Sequence, residues 1–221
     1  NALEEVILKG AQDIDLSGAA LANATTVDAS AMTGSIDVLL DNVDATVTGG
    51  EGNDSVHFAA GEFDDNDSAD AGAGMDTINL LDGNDLTENS GAVLENFEVL
   101  DLAGGINAYD LDFISGIESV KSTVALAGAV TVDNAAADVG LDITATPGQD
   151  ITFNQKGAGD IGSNDDSLDV SVGGDAAVIV ASLTASNIET VNLTNQGDAA
   201  NTITDLVVAD ATKVDIAGDQ E

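Results

Sequence analysis

The sequence predicts an all-β protein, a right-handed parallel β-helix or β-roll solenoid of about ten coils, and three observations predict it. Apolar segments recur around Val6, Val27, Val47, Ile78, Val99, Val120, Ile143, Val170, Val191 and Val214, mostly 20 to 23 residues apart, which is the length of one solenoid coil. Two intervals are longer, 31 residues from Val47 to Ile78 and 27 from Ile143 to Val170; inserting Val56 divides the first and leaves 22 to Ile78. Between these rungs lie short segments that alternate apolar with polar and are bounded by Gly, Asn and Asp, so each period holds two or three strands joined by turns. Aromatic residues make up only 3% of a chain that is 43% apolar, which suits a thin aliphatic core stacked coil on coil and not a wide globule. The competing fold is a β-sandwich, whose strands also recur at short intervals, but it leaves the 21-residue recurrence a coincidence.

Taken in order, the secondary strands are predicted at residues 13–16, 35–38, 124–126, 130–132, 150–153, 178–180 and 202–204. Helix is confined to one short piece within 85–95 and another around 135–138, both interrupted or bounded by poor helix formers. Pro147, the only proline, begins a turn at 146–149. A phrase of an apolar residue, Glu, any residue and Val recurs at Glu4, Glu98, Glu118 and Glu189, with the Glu expected at a strand entrance facing water. Phe97, Tyr109 and Phe113 read as core residues.

Charge narrows the functional classes. Forty-one acids face four lysines (Lys9, Lys121, Lys156, Lys213) and no arginine, a formal charge of −37. Such a surface repels phosphates, which argues against nucleic-acid partners and anionic lipid, and its self-repulsion opposes compaction unless cations neutralise part of it. Adaptation to high salt is the rival cause of the same composition. No cysteine is present, so no disulfide or thiolate site exists. No run of 18 apolar residues occurs, so direct membrane insertion by a helix is not expected. The chain opens on Asn1-Ala2-Leu3 with neither Met nor a signal-peptide pattern, and it reads as a single solenoid fragment, residues 1–221, of a larger protein.

Residues 49–85 carry the chemistry. Gly49-Gly50-Glu51-Gly52-Asn53-Asp54-Ser55-Val56 fits the pattern Gly-Gly-x-Gly-x-Asp-x-apolar throughout, and Ala71-Gly72-Ala73-Gly74-Met75-Asp76-Thr77-Ile78 departs only at Ala71. Leu80-Leu81-Asp82-Gly83-Asn84-Asp85-Leu86 keeps the final part, and Asp67, Asp76 and Asp85 fall nine residues apart. Six Gly-rich residues turn tightly and three more form a minimal strand, so two units close one coil and the turns stack on one edge. Carbonyls and Asp carboxylates from neighbouring turns then surround a hard cation. Calcium suits such an all-oxygen cage of about six to eight ligands, whereas zinc and iron favour His and Cys, of which this chain has one His and no Cys. The expected metal-binding residues are Gly50, Gly52, Asp54, Asp67, Gly72, Gly74, Asp76, Gly83 and Asp85.

On these residues the segment resembles the calcium-binding nonapeptide repeats of repeats-in-toxin proteins exported by type I systems. The Glu phrase along the chain resembles repeats of bacterial surface-layer proteins secreted by the same route. The resemblance implies a secreted, non-enzymatic structural module on the cell surface, with calcium-dependent folding and lattice formation. It implies self-association with other copies or domains, and attachment to cell-surface polysaccharide through a region outside this chain. Alternatives are a rod or spacer in an adhesin and a calcium-dependent folding module of a secreted enzyme. Residues 157–169, with Asp165 or Asp166 ahead of Ser167-Leu168-Asp169, echo the nonapeptide loosely and are a second candidate for calcium. Catalytic signals are absent: His57, the sole histidine, reads as an outward strand residue, and no nucleophile elbow, phosphate loop or metal-hydrolase motif occurs.

Overall fold

In a computed structural model, which describes residues 3–18, 21, 23–41, 44–159 and 166–218, the chain is an all-β solenoid of about nine turns. Among the described residues the strand pairings are parallel, which excludes the antiparallel sandwich. The chain forms two compact units, Asn1–Asp101 with Phe113–Ile117, and Leu102–Asp112 with Glu118–Glu221.

In the first unit, one sheet is built from β1 (Glu5–Gly10), β3 (Thr26–Met32), β5 (Thr46–Thr48), β7 (Ser68–Asp70) and β9 (Leu94–Glu95). The strands that alternate with them, β2 (Ile14–Leu16), β4 (Ile36–Leu40), β6 (Ser55–Phe58), β8 (Thr77–Leu80) and β10 (Val99–Asp101), form the facing set of rungs. Period-two alternation turns one residue in two inward. The inner column Leu16, Val38, Val56, Ile78, Leu100 runs in register through the second set, and Val6, Val27, Val47, Ala69, Leu94 through the first. Val38, Val56, Ile78 and Leu100 are completely buried. Phe58 continues the core between Leu40 and Leu80, and its ring lies 4.8 Å from that of Phe63.

The second unit repeats this plan. Its odd strands are β11 (Asn107–Asp110), β13 (Val130–Ala135), β15 (Ile151–Gln155), β17 (Ile179–Thr184) and β19 (Thr202–Val207). Its even strands are β12 (Ser119–Ser122), β14 (Gly140–Ile143), β16 (Ser167–Val172), β18 (Thr190–Asn195) and β20 (Lys213–Gly218). Val120, Leu141, Val170, Leu193 and Ile216 share one column. Leu141 pairs with Val170 across 29 residues, so the chain inserts its extra length here, in the stretch that includes 157–166. One side chain ties the turns of two coils together. Asn201 donates to Val172 O at 3.0 Å, Asn195 Oδ1 at 2.8 Å and Gln196 O at 3.0 Å, and accepts the Val178 N–H at 2.7 Å.

Two expectations need correction. The recurrence read from sequence joined residues from different faces: Val6, Val27 and Val47 lie on odd strands, whereas Ile78, Val120, Val170, Val191 and Val214 lie on even ones. Both faces repeat with one coil, so periodicity alone cannot tell them apart; Val47 pairs with Ala69, and Val56 is the true partner of Ile78. Residues 124–126 form no strand but an irregular connection with Val124 exposed, tied to neighbouring coils only at single points, Leu126 N–H to Pro147 O at 2.8 Å and Gly104 N–H to Ala125 O at 3.2 Å. Among the described residues helix is as scarce as expected: a 3₁₀ turn at Gly83–Asp85 and one helical turn, α1 (Glu88–Gly91), capped by Thr87, while 136–139 is a turn. Tyr109 and Phe97 are core residues, and Phe113 is half-buried.

Two substitutions test this packing by urea unfolding. Phe58→Ala is expected to cost about 3–5 kcal/mol through the cavity it leaves. Asn201→Ala, which orphans the Val178 N–H, is expected to cost about 2–3 kcal/mol with no change of strand content.

Candidate metal centre

The turns at 49–54 and 71–76 lie one above the other, each leading from an odd strand into an even one. Gly72 has φ +92°, a left-handed conformation open to glycine, and a Cβ on it would stand 2.4 Å from Gly50 O. A Cβ on Gly74 would stand 2.3 Å from Gly52 O, and one on Gly52 would stand 2.5 Å from the Gly34 carbonyl carbon. The glycines are required because backbone meets backbone across these coils. The Ala73 N–H donates to Gly50 O at 2.9 Å, and the Met75 N–H to Asn53 Oδ1 at 3.0 Å.

The two aspartates of these turns are buried, Asp54 at 1% exposure and Asp76 at 0%. Asp54 Oδ1 accepts the Ile36 N–H of the preceding coil at 2.9 Å, and Oδ2 accepts the Gly50 N–H of its own turn at 2.8 Å. Asp76 Oδ1 accepts the Asp54 N–H at 2.6 Å. Asp76 Oδ2 is buried with no hydrogen-bond partner among the described residues. Burial, chiefly, and then the charges of Asp54, Glu98 and Asp70 push the Asp76 carboxyl up to about 6, against the hydrogen bond from Asp54 that favours the ion.

The column extends beyond the aspartates. Glu98 Oε2 accepts the Asp76 N–H at 2.8 Å, and in the second unit Glu189 Oε2 accepts the Asp166 N–H at 3.1 Å. Asp13 holds the equivalent position before β2, with the bond reversed: its Oδ1 accepts the Ser35 N–H at 2.9 Å. Glu98 and Glu189 are therefore not merely solvated residues at strand entrances. The missed signal at Glu189 is that it stands, like Asp54 and Asp76, directly before Ser or Thr and then Val or Ile; Glu98, before Val99-Leu100, carries no such mark.

The remaining predicted residues fall elsewhere. Asp67 stands before β7, at the other corner of the coil that Asp76 completes; its Oδ1 accepts the Ala45 N–H at 2.7 Å and its Oδ2 the Asp64 N–H at 2.8 Å. Asp85 closes the 3₁₀ turn that contains the buried Gly83, and its Oδ2 accepts the Gly61 N–H at 2.7 Å. Asp67 and Asp85 are thus not stacked at one 18-residue coil spacing. Each reaches back to its own earlier partner, because the 3₁₀ turn and α1 lengthen the connection from β8 to β9. Burial raises both carboxyls above their ordinary value. Of the second candidate loop, residues 160–165, including Asp165, lie outside the described residues; the Asp166 backbone pairs with Glu189.

Among the described residues no three His, Cys, Asp or Glu side chains cluster as a ligand set. An ion at the 49–54 and 71–76 corner would therefore rely on the turn carbonyls, with Asp76 Oδ2 as the carboxylate oxygen still open to it. This donor chemistry, oxygen throughout, fits a hard cation such as calcium. No family model matches the chain, and no curated protein matches it significantly.

The titration of Asp76 has a definite sign. Its folded value lies above the unfolded one, so the folded state binds the extra proton between about pH 4 and 6, and cation-free stability falls as pH rises through that window. Asp76→Asn keeps the shape and an acceptor while removing the charge. In chelator at pH 7 it is expected to raise unfolding free energy by about 2 kcal/mol and to flatten the pH profile over that window, measured by urea melts.

Proposed function

We propose that this chain is a structural, non-enzymatic calcium-binding module of a secreted bacterial surface-layer protein that assembles with its own copies on the cell surface. The observation that carries the reading is the pair of stacked Gly-rich turns that buries Asp54 and Asp76 one coil apart and leaves Asp76 Oδ2 without a partner. A buried carboxylate among other carboxylates is a liability in a chain of charge −37 and an asset once a divalent cation sits against it.

Folding would then follow calcium supply. Where calcium is scarce, repulsion and the open carboxylate hold the chain back from its compact form. Outside the cell, weak sites of extracellular type fill at about 10⁻⁴–10⁻³ M calcium, and binding to the folded form alone draws the equilibrium toward it. The repeats-in-toxin likeness of residues 49–56 and 71–78 supports secretion and surface location.

Circular dichroism during calcium titration, with magnesium as control, tests the reading. Calcium is expected to increase the β signal at millimolar concentration where magnesium does not. Asp76→Asn, which keeps the oxygen that accepts the Asp54 N–H, is expected to fold without calcium and to lose the response. Identical spectra in calcium and in chelator would remove the proposed role.

A further inference from the structure

His57 is the only histidine of the chain and lies on β6 between Asp37 of β4 and Asn79 of β8. Asn79 Nδ2 donates to Asp101 O at 2.6 Å, and this bond fixes the amide. Its other end, Oδ1, is therefore the atom that faces His57 Nδ1 at 3.3 Å. On the opposite edge of the ring, Nε2 stands 3.0 Å from Asp37 Oδ1. Both of these atoms are buried, and neither has a hydrogen-bond partner elsewhere among the described residues.

The imidazole thus meets an acceptor at each nitrogen. A neutral ring carries one N–H, and either tautomer leaves a nitrogen lone pair against an oxygen lone pair. Turning the Asn79 amide does not help, since it would set the amide oxygen against the Asp101 carbonyl. Only the doubly protonated ring supplies a donor on both sides. We infer that His57 is carried in the folded chain as the imidazolium, donating to Asn79 and pairing with Asp37, and so forms an acid-sensitive joint across β4, β6 and β8.

The charged groups facing the ring all favour this state. Asp37, which pairs with Ser55 on β6, is in contact from the adjacent column, and Asp15 on β2 is paired in register with Asp37. The Asp15 carboxyl is held below its ordinary range, first by the Ser17 hydroxyl and backbone N–H and to a lesser degree by His57. Asp101 on β10 lies beyond Asn79 and meets it through its carbonyl. Loss of the proton sets a ring-nitrogen lone pair against an oxygen on one side, so the joint is intact at low pH and weakens as pH rises. This site is separate from the 49–54 and 71–76 turns and does not depend on their occupation.

The experiment uses the intact chain in saturating calcium, with ¹⁵N-labelled histidine followed by long-range ¹H–¹⁵N correlation. At about pH 7, where a free imidazole is largely neutral, the folded chain is expected to show both ring nitrogens protonated, and the urea-unfolded chain is not. Asp37→Asn is expected to lose the imidazolium signals at lower pH than the unsubstituted chain. Thermal melts of His57→Gln are expected to lack a fall in melting temperature that the parent shows between about pH 6 and 8. A neutral, single-tautomer ring in the folded chain at that pH, or melting profiles of parent and His57→Gln that superimpose, would overturn the inference.

Discussion

The structure depends on how the backbone amides at strand entrances are satisfied. Inside a parallel rung every N–H has a carbonyl one coil away, but at the corner the chain bends out of the ladder and an amide is left over. In this protein an acidic side chain from a neighbouring coil takes it. Asp54 serves Ile36, Asp76 serves Asp54, Glu98 serves Asp76, and Asp67 does the same for Ala45 at the other corner. A charged acceptor makes a stronger bond than a neutral one. The cost is like charge stacked at the coil spacing of about 4.8 Å, where each neighbouring pair repels by about 1 kcal/mol in water and about 4 where solvent is partly excluded. Affinity for a proton at Asp76 and for a cation at the same corner are two responses to that one repulsion.

Most of the architecture was readable because its causes are local. Alternation of Val, Ile and Thr with polar residues gives the rungs, and the spacing of Val56, Ile78 and Leu100 gives the coil. What the pattern conceals is which face a residue serves, since odd and even strands recur together. Val47 leads to Ala69, a small residue that a search for large apolar side chains passes over. The strand expected at Val124 failed for another reason: Leu126 N–H reaches Pro147 O and Gly104 N–H reaches Ala125 O, but as isolated links, and three residues of the right type do not reveal whether a continuous ladder forms.

The candidate site divided in the same way. The two good nonapeptides came together because their glycines leave no room for anything but the next backbone, a constraint written into composition. Asp85 left the column because the 3₁₀ turn and α1 intervene, and an insertion resets register without altering a motif. The role of Glu98 was hidden by residue type: Glu reaches the amide that Asp reaches elsewhere, through a longer arm and with no glycine turn to announce it. The partners of His57 are 20 and 22 residues away and become visible only once the coils are laid over one another.

From Asp54 to Glu98 the carboxylates all point the same way, each later coil reaching back to the one before it. A coil is therefore left with an unserved amide until its successor has been laid down. Growth of this part of the protein has a polarity: material added on the C-terminal side seals what exists, and its removal exposes a dangling donor in the layer beneath. A molecule so built would fray from one end and anneal toward it, in the manner of a one-way zip.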